Sequence, residues 1–315
     1  MILQVLASII PIVFLIALGF FLHEKKYLSK GLDKNLTFLV MNIALPASVF
    51  LSVVNNLTIK TLEELAKPLL IGMIAFAGNY LLSYFLMQVV RVPRGRRGVF
   101  LNTVVNANTI FIGMPLNQAL FGTEAISYFL VYYVLNTLST WTVGAVFIAR
   151  DGRTQGAGGG KVNLKQILSP PILGLLAALP VLLLGIHLPK PVTETLSYLG
   201  TLVTPLSLLY IGIVLSEAGL RSVRFDKDTV VALLGKFVLS PVLTATALYL
   251  AVRCGIALPA KLRDTMIVQS AVPALTVLPI LAGDADGDVE YATNVVVTST
   301  VLFVVVIPLV MTLLK

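Results

Sequence analysis

Charged residues are scarce in this sequence. Asp, Glu, Lys and Arg make up 12% of its 315 residues and hydrophobic residues 57%, whereas soluble domains carry roughly 25% charged residues. This scarcity excludes an ordinary soluble domain and predicts an all-α integral membrane protein that crosses the bilayer many times. The net charge of +8 does not indicate nucleic-acid binding, because the basic residues lie in short loops between apolar segments.

Reactive and metal-binding residues are also few. The single cysteine, Cys254, excludes an intramolecular disulfide, and the two histidines, His23 and His187, are placed in loops. No cluster of Cys, His and Asp has metal-site spacing, and Asp284–Asp288 (D-A-D-G-D) lacks the glycine and glutamate positions of a calcium loop. We therefore predict no catalytic residue, no metal and no cofactor, which disfavours an intramembrane enzyme.

Ten apolar segments follow one another along the chain, each near the ~20 residues that a helix needs to cross a bilayer. A glycine-rich linker over 150–169 separates a first five-segment half, 1–149, from a second, 170–315. Because each half holds an odd number of segments, the halves insert in opposite orientations, as inverted repeats do. The segments are 3–22, 36–54, 68–90, 98–120, 123–149, 170–186, 198–219, 229–252, 262–282 and 289–314.

Basic residues are distributed unevenly between the two faces of this arrangement. Fifteen lie in the loops 23–35, 91–97, 150–169 and 220–228, and seven lie in the loops and terminus of the other face. Loops rich in Lys and Arg stay in the cytoplasm. The sequence therefore predicts a multi-pass protein of the inner (plasma) membrane with both termini outside the cytoplasm.

The fourth segment carries polar and helix-breaking residues at its middle. Asn106, Asn108 and Thr109 lie there, followed by Gly113 and Pro115. Proline removes a helical hydrogen bond, and the freed carbonyl must find a partner inside the protein or beside a wet cavity. Short amides can bond either the freed backbone or a ligand. Taken alone, this stretch is equally consistent with contacts that only join helices and with a binding site.

The ninth segment repeats this pattern. Ser270–Pro279 is interrupted by Pro273 and Pro279, and Ser270 precedes Pro279 by nine residues, as Asn106 precedes Pro115. Paired broken segments at corresponding positions of two halves indicate the binding site of a transporter.

Lys236 lies several residues inside the eighth segment. A charged residue at that depth is a functional-site hypothesis by default, and a side chain that extends to the interface is the alternative. If Lys236 faces a cavity, substrate binding would be coupled to proton uptake on its ammonium. Carbonyls freed at Pro241, or the amide of Asn79, would hold the charge when no ligand is bound.

With Asn106-Ala-Asn108, Gly113-Met-Pro115 and Ser270-Ala-Val-Pro273, the ten-segment chain resembles the auxin efflux carrier family. It resembles the bacterial branch most, because its central loop is short. The resemblance implies a scaffold of helices one, two, six and seven that dimerises. It also implies a transport domain of helices three to five and eight to ten, in which broken helices four and nine cross. Substrates would be small organic anions, auxin- or malate-like carboxylates, moved by an elevator-type displacement.

Bile-acid sodium symporters share the implied fold. Those proteins use an acidic residue near the ninth-helix break for sodium, whereas residues 269–276 contain no acid here. We therefore predict an alternating-access carrier for a small organic anion, proton-linked or uniport, which forms a homodimer and contacts membrane lipid but not nucleic acid. The alternatives are a sodium-coupled bile-acid-type symporter and a ligand-binding membrane sensor. The predicted substrate-binding residues are Asn106, Asn108, Thr109, Gln269, Ser270, Ala274 and Lys236, and the helix-break residues are Gly113, Pro115, Pro273 and Pro279.

Overall fold

The computed structural model describes residues 2–29, 31–56, 59–151, 170–219 and 223–314. Every regular element in these ranges is helical, and none of these ranges contains a β-strand. Helices suit a chain that crosses lipid, because each satisfies its backbone hydrogen bonds within one segment.

The α-helices follow the apolar segments of the sequence. Before the linker they are α1 (Ile2–Glu24), α2 (Leu32–Leu39), α3 (Leu45–Asn56), α4 (Ile59–Val90), α5 (Arg97–Val105), α6 (Met114–Phe121), α7 (Ile126–Ser139) and α8 (Ala145–Asp151). After it they are α9 (Pro170–Leu183), α10 (Lys190–Thr201), α11 (Val203–Ala218), α12 (Lys227–Leu234), α13 (Ser240–Arg253), α14 (Ala260–Ser270), α15 (Leu278–Asp284) and α16 (Val289–Leu313).

Single turns of other helical types join several of these helices. A 3₁₀ turn, Thr123–Ala125, precedes α7. Wider π-helical turns, which frequently occur at functional sites, lie at Val40–Ala44, Thr109–Gly113, Thr140–Gly144 and Gly235–Leu239.

Seven helical stretches in the described ranges are long and apolar enough to cross a membrane. They correspond to predicted segments two to five, seven, eight and ten. Two shorter apolar stretches, Ile10–Glu24 within α1 and Pro170–Leu183 (α9), lie in segments one and six. The ninth segment is divided between α14 and α15. The chain is therefore an all-helical, multi-pass membrane protein.

The chain forms two compact units. Unit 1 comprises Met1–Ala66, Ile110–Leu130 and Lys165–Glu217, and unit 2 comprises Lys67–Thr109, Val131–Leu164 and Ala218–Lys315. Each unit thus combines parts of both sequence halves. Most of the predicted linker, 152–169, lies outside the described residues, and Arg150 and Asp151 end α8.

Unit 1 is built around close contacts between helix backbones. α3 packs against α9 and α10. A Cβ atom at Gly174 would lie 2.6 Å from the carbonyl oxygen of Pro46, and one at Gly200 would lie 3.1 Å from Cα of Ser48. Glycine at these two positions therefore lets α9 and α10 approach α3 more closely than any other residue would.

His23 also belongs to this unit. The sequence predicted that it lies in a loop, but the structure places it in a helix. It occupies the last turn of α1, where its Nδ1 is 2.7 Å from the hydroxyl of Ser216. The Ser216 hydroxyl donates to Glu24 at 2.9 Å. Since a hydroxyl has one hydrogen, Nδ1 of His23 must be the donor in the other contact.

Unit 2 has two apolar clusters that flank α5. One joins Val99 of α5 to Ile148 of α8 and to Ala274 and Leu278. The other joins Phe100 and Leu101 of α5 to residues before it and in α12; its members are Met87, Val92, Phe100, Leu101, Val104 and Ala232. α5 is therefore held on several sides, which fixes the position of its C-terminal end.

Candidate functional site

The helix of the fourth segment is interrupted at Asn106–Asn108. α5 ends at Val105, Asn106 is extended with φ −93° and ψ 154°, and helical structure resumes at Thr109. The sequence predicted the break nearer Gly113 and Pro115. Both residues instead lie in helical structure, because Pro115 occupies the first turn of α6, where a missing N–H costs no hydrogen bond.

The ninth segment is interrupted between Ser270 and Leu278. Pro273 lies in this non-helical stretch, as predicted, whereas Pro279 lies in the first turn of α15. The two interruptions contact each other, because the backbone N–H of Asn108 donates to the carbonyl of Pro273 at 2.8 Å. Two stretches that are 165 residues apart in sequence therefore share one position in unit 2.

Asn106 joins helices through its side chain. Nδ2 donates to the Tyr80 hydroxyl at 3.1 Å and to Oδ1 of Asn102 at 2.8 Å. Oδ1 accepts from the Ser139 hydroxyl at 2.6 Å. Both N–H groups of the amide are used in this network. The geometry thus favours the alternative in which this asparagine connects helices over direct substrate contact.

Asn136 holds the middle of the first interruption. Its Oδ1 accepts from the N–H of Ala107 at 2.8 Å, and its Nδ2 donates to the Ala107 carbonyl at 3.0 Å. Nδ2 also lies 3.4 Å from the Thr109 hydroxyl. An amide side chain thus replaces the backbone partners that Ala107 would have in a continuous helix.

The sequence did not identify Asn102, Tyr80 and Ser139 as members of this network. Asn102 lies four residues before Asn106 and thus on the same helix face, which is a usable signal. Tyr80 and Ser139 come from other segments, so nothing local to Asn106 indicates them.

The other predicted residues are buried beside the two interruptions. Asn108 is 3% exposed, and Gln269 and Ser270 are fully buried. The Ser270 hydroxyl donates back to the carbonyl of Ile267 at 2.6 Å, which is common for serine at a helix end. The N–H of Ala274 donates to the Ser299 hydroxyl at 3.2 Å.

Lys236 is fully buried within the π-helical turn Gly235–Leu239. Its Nζ donates to the carbonyl of Asn106 at 2.8 Å. The partner is therefore neither a carbonyl freed at Pro241 nor Asn79, and the side chain does not extend to an interface. A Cβ at Gly235 would lie 2.6 Å from Cγ2 of Val104, so glycine allows the close approach. The ammonium lies at the negative C-terminal end of α5, which favours a cation.

A cluster centred on Arg96 anchors the opposite end of α5. Its guanidinium lies 2.7 Å from Asp288, 3.0 Å from Asp226 and 3.2 Å from Asp228. Burial alone would raise the pKa of the Asp226 carboxyl, but hydrogen bonds from Thr229 and the Arg96 guanidinium hold that pKa below its ordinary value. Asp288 also caps α16 by accepting from the N–H of Tyr291, which explains this acid without a calcium site.

Among the described residues, no group of three or more His, Cys, Asp or Glu side chains could hold a metal ion. What converges at the interruptions is a set of backbone groups, amides, hydroxyls and one ammonium. Such groups can bind and orient a polar ligand, and they include no nucleophile paired with a base.

Known proteins resemble this chain over nearly its whole length. A family model described as membrane transport protein matches residues 4–311. An uncharacterized transporter of Methanothermobacter thermautotrophicus is 22% identical over 303 residues, which cover 96% of each chain. An uncharacterized transporter of Methanocaldococcus jannaschii is 23% identical over 306 residues, which cover 95% of each chain. The resemblance predicted from the broken segments is thereby confirmed, and the protein belongs to the auxin efflux carrier-like membrane transport family and is a transporter rather than an enzyme.

Proposed function

We propose that the protein is a secondary transporter that binds a small organic anion where the two interrupted helices meet. The observation that carries this proposal is the hydrogen bond from the N–H of Asn108 to the carbonyl of Pro273. It joins two non-helical stretches in the interior of unit 2. Irregular backbone at membrane depth is stable only where it is buried in protein or lines a cavity.

The backbone polarity at this position favours a negative charge. Helical structure begins at Thr109 and Leu278, directly after each interruption. The first turns of both place the positive ends of helix dipoles there, although the N–H groups of Thr109 and Leu278 themselves donate to the carbonyls of Ala107 and Leu275. The negative C-terminal end of α5 is offset by the ammonium of Lys236 at Asn106. A carboxylate therefore fits better than a cation.

In this proposal the substrate contacts Asn108 and Thr109 on one side and Gln269, Ser270 and Ala274 on the other. Asn106 and Lys236 shape and charge the site from behind the first interruption. None of these residues is more than 3% exposed. Substrate must therefore enter through a conformational change, which alternating access supplies.

An elevator-type movement is our proposed form of that change. The interrupted stretches and Lys236 all belong to unit 2, whereas the turn that begins at Thr109 continues into unit 1 at Ile110. The site residues of unit 2 would therefore move together. Unit 1 contains segments one, two, six and seven and also 110–130, the end of segment four and the start of segment five. We propose that it is the static, dimer-forming scaffold. We also propose that the protein has ten membrane helices in inverted repeats 1–149 and 170–315, with both termini outside the cytoplasm.

We propose that transport of the anion is either coupled to protons or not coupled to any ion. Residues 269–276 contain no acid, which leaves a sodium ion without a carboxylate there. Lys236 supplies an ammonium group at a fixed position, and this group can release and regain a proton. The alternative is a sodium-coupled symporter, and its test is the same flux measured with and without sodium.

Counterflow in proteoliposomes tests transport itself. Labelled malate, malonate and auxin are the probes, with choline replacing sodium in a matched sample. We expect saturable counterflow of at least one carboxylate that does not depend on sodium. Binding without counterflow would indicate a sensor, and flux that requires sodium would indicate the symporter.

A further inference from the structure

Unit 1 contains a polar cavity that the transport proposal does not use. It has a volume of about 400 Å³ and is formed where the C-terminal part of α3 meets α6, the turn before α7, the first residue of α7, and α10. A cavity of this size is within the range of small-molecule sites. Seven of its ten lining residues are Ser, Thr, Asn or Gln, and none carries a charge.

Ser48 provides a hydroxyl that lines this cavity. It is 8% exposed and makes no hydrogen bond with any residue that the structure describes. The close approach of Gly200 to its Cα fixes the backbone at this point. Because Ser48 lines the cavity, a ligand there can hydrogen-bond to its hydroxyl.

Gln118 is oriented to donate into the same space. Its Oε1 accepts from the Thr204 hydroxyl at 2.8 Å, which assigns the oxygen to Thr204 and directs the NH₂ group the other way. Gln118 and Ser48, which both line the cavity, can therefore offer an amide NH₂ group and a hydroxyl to a ligand. Thr123, Ser197 and Thr201 add further hydroxyls to the lining.

The charge balance indicates a neutral ligand. None of the ten described lining residues is a Lys or Arg that could offset a carboxylate. Thr123 lies at the N-terminal end of a helix, which favours negative charge, but Glu124 in the same turn already supplies it. A second anion there would be repelled. Hydroxyls and amides that both donate and accept match the hydroxyls of a polyol.

We propose that this cavity binds a small neutral polyol, free or as the sugar headgroup of a lipid. Its neutral ligand and its position in unit 1 separate it from the anion site at the helix interruptions. Loss of one site would leave the other intact.

Saturation-transfer NMR with mannitol tests the proposal on the full chain in phosphatidylcholine nanodiscs, which avoid sugar detergents. We expect saturable binding with a dissociation constant of about 1–10 mM. Ser48→Ala should weaken it about two- to tenfold, as the loss of one neutral hydrogen bond does. Gln118→Glu keeps the acceptor for Thr204 but removes the donors, and should weaken mannitol about tenfold or more.

Ser207→Ala is the matched control, because Ser207 is a buried serine of unit 1 outside the cavity. It should bind mannitol as wild type does. Nanodiscs that also contain glucosyl diacylglycerol show whether the cavity prefers a free polyol or the sugar headgroup of a lipid. Loss of the mannitol signal there identifies a lipid headgroup, and its retention identifies a free polyol.

The proposal is overturned by three results. These are no saturable mannitol signal in wild type, equal weakening in Ser207→Ala, and displacement of mannitol by malonate that persists in Asn108→Ala. The last result would reassign the cavity to an anion. Mannitol binding without any carboxylate counterflow would instead refute only the transport proposal.

Discussion

At the residue scale, single asparagines replace missing backbone partners. Asn136 bonds both the N–H and the carbonyl of Ala107. Asn294 does the same for Arg224, accepting from its N–H and donating to its carbonyl, both at 2.8 Å. A primary amide carries an acceptor and donors side by side, as a peptide group does. Asparagine can therefore stabilise irregular backbone both in the buried interior, at Ala107, and in a part-buried loop, at Arg224.

Asn136→Ala should destabilise the protein more than the loss of an ordinary side-chain hydrogen bond. It leaves the N–H of Ala107 buried without a partner, at about 1–3 kcal/mol, whereas the Ala107 carbonyl still accepts from the N–H of Thr109 at 2.8 Å. We expect a clear fall in the midpoint of thermal unfolding in detergent. Asn42→Ala is the control, because its exposed amide bonds only the Phe38 carbonyl. Equal midpoints for the two variants would contradict this role.

Lys236→Gln tests the proposed coupling. Glutamine keeps a donor in the region of the Asn106 carbonyl but removes the exchangeable proton and the charge. We expect the variant to reach the membrane, bind substrate weakly and lose the pH dependence of carboxylate uptake. Uptake is measured in proteoliposomes between pH 5 and 8. If the variant retains the wild-type pH profile, the coupling site lies elsewhere.

At the scale of elements, the two ends of α5 are held by different charged groups. Arg96 and its three carboxylates secure the N-terminal side, and they link α5 to the starts of α12 and α16. Lys236 secures the C-terminal side. The short α5 is thus fixed at both ends, which a helix of nine residues cannot achieve by propensity alone.

Acid should weaken the Arg96 cluster. The folded-state pKa of Asp226 is lowered, so its contribution to stability is complete above the unfolded value of about 3.9. That contribution is lost as pH falls through the lower folded value. Because the side chain is 43% exposed, we expect an effect of no more than about 1 kcal/mol. Asp226→Asn should therefore unfold slightly earlier at pH 7 and lose less stability than wild type between pH 5 and 3.

Thermal unfolding across that pH range makes the comparison. Glu194→Gln is the control, because its ion pair with Lys190 is highly exposed. A variant curve parallel to wild type would show that Asp226 contributes nothing.

The interrupted helices also show what sequence can predict. The Asn-rich and Pro-rich patterns identified both stretches, because unpaired polar groups and helix breaks are energetically unfavourable in lipid unless the protein provides partners for them. The position of the first interruption was wrong by several residues, since Pro115 is accommodated in the first turn of α6. The connecting role of Asn106 depends on Tyr80 and Ser139, which come from other segments. Local patterns contain no information about such contacts.

At the scale of the whole molecule, loop charge predicts the orientation. The linker and the three other basic loops should lie in the cytoplasm and both termini outside. Reporter fusions at Lys315 and within 152–160 should therefore report opposite sides. Two reporters on the same side would contradict ten membrane crossings in inverted halves.

The central claim is that the meeting point of the interrupted helices binds the transported anion. Asn108→Ala tests it well, because the bond from its N–H to Pro273 belongs to the backbone and survives the substitution. Loss of a hydrogen bond to a charged ligand costs roughly 1.5–3 kcal/mol, or about ten- to a hundredfold in affinity. The control is Asn294→Ala, a buried asparagine of the same unit that bonds Arg224 and Thr229.

The decisive measurement is the affinity of purified protein for the carboxylate that supports counterflow, determined by calorimetry beside thermal unfolding. The account predicts that Asn108→Ala loses about ten- to a hundredfold in affinity with little change in unfolding. Asn294→Ala should lose stability and keep its affinity. Wild-type affinity in Asn108→Ala, with stability lowered as in Asn294→Ala, would contradict the claim and leave Asn108 a structural residue.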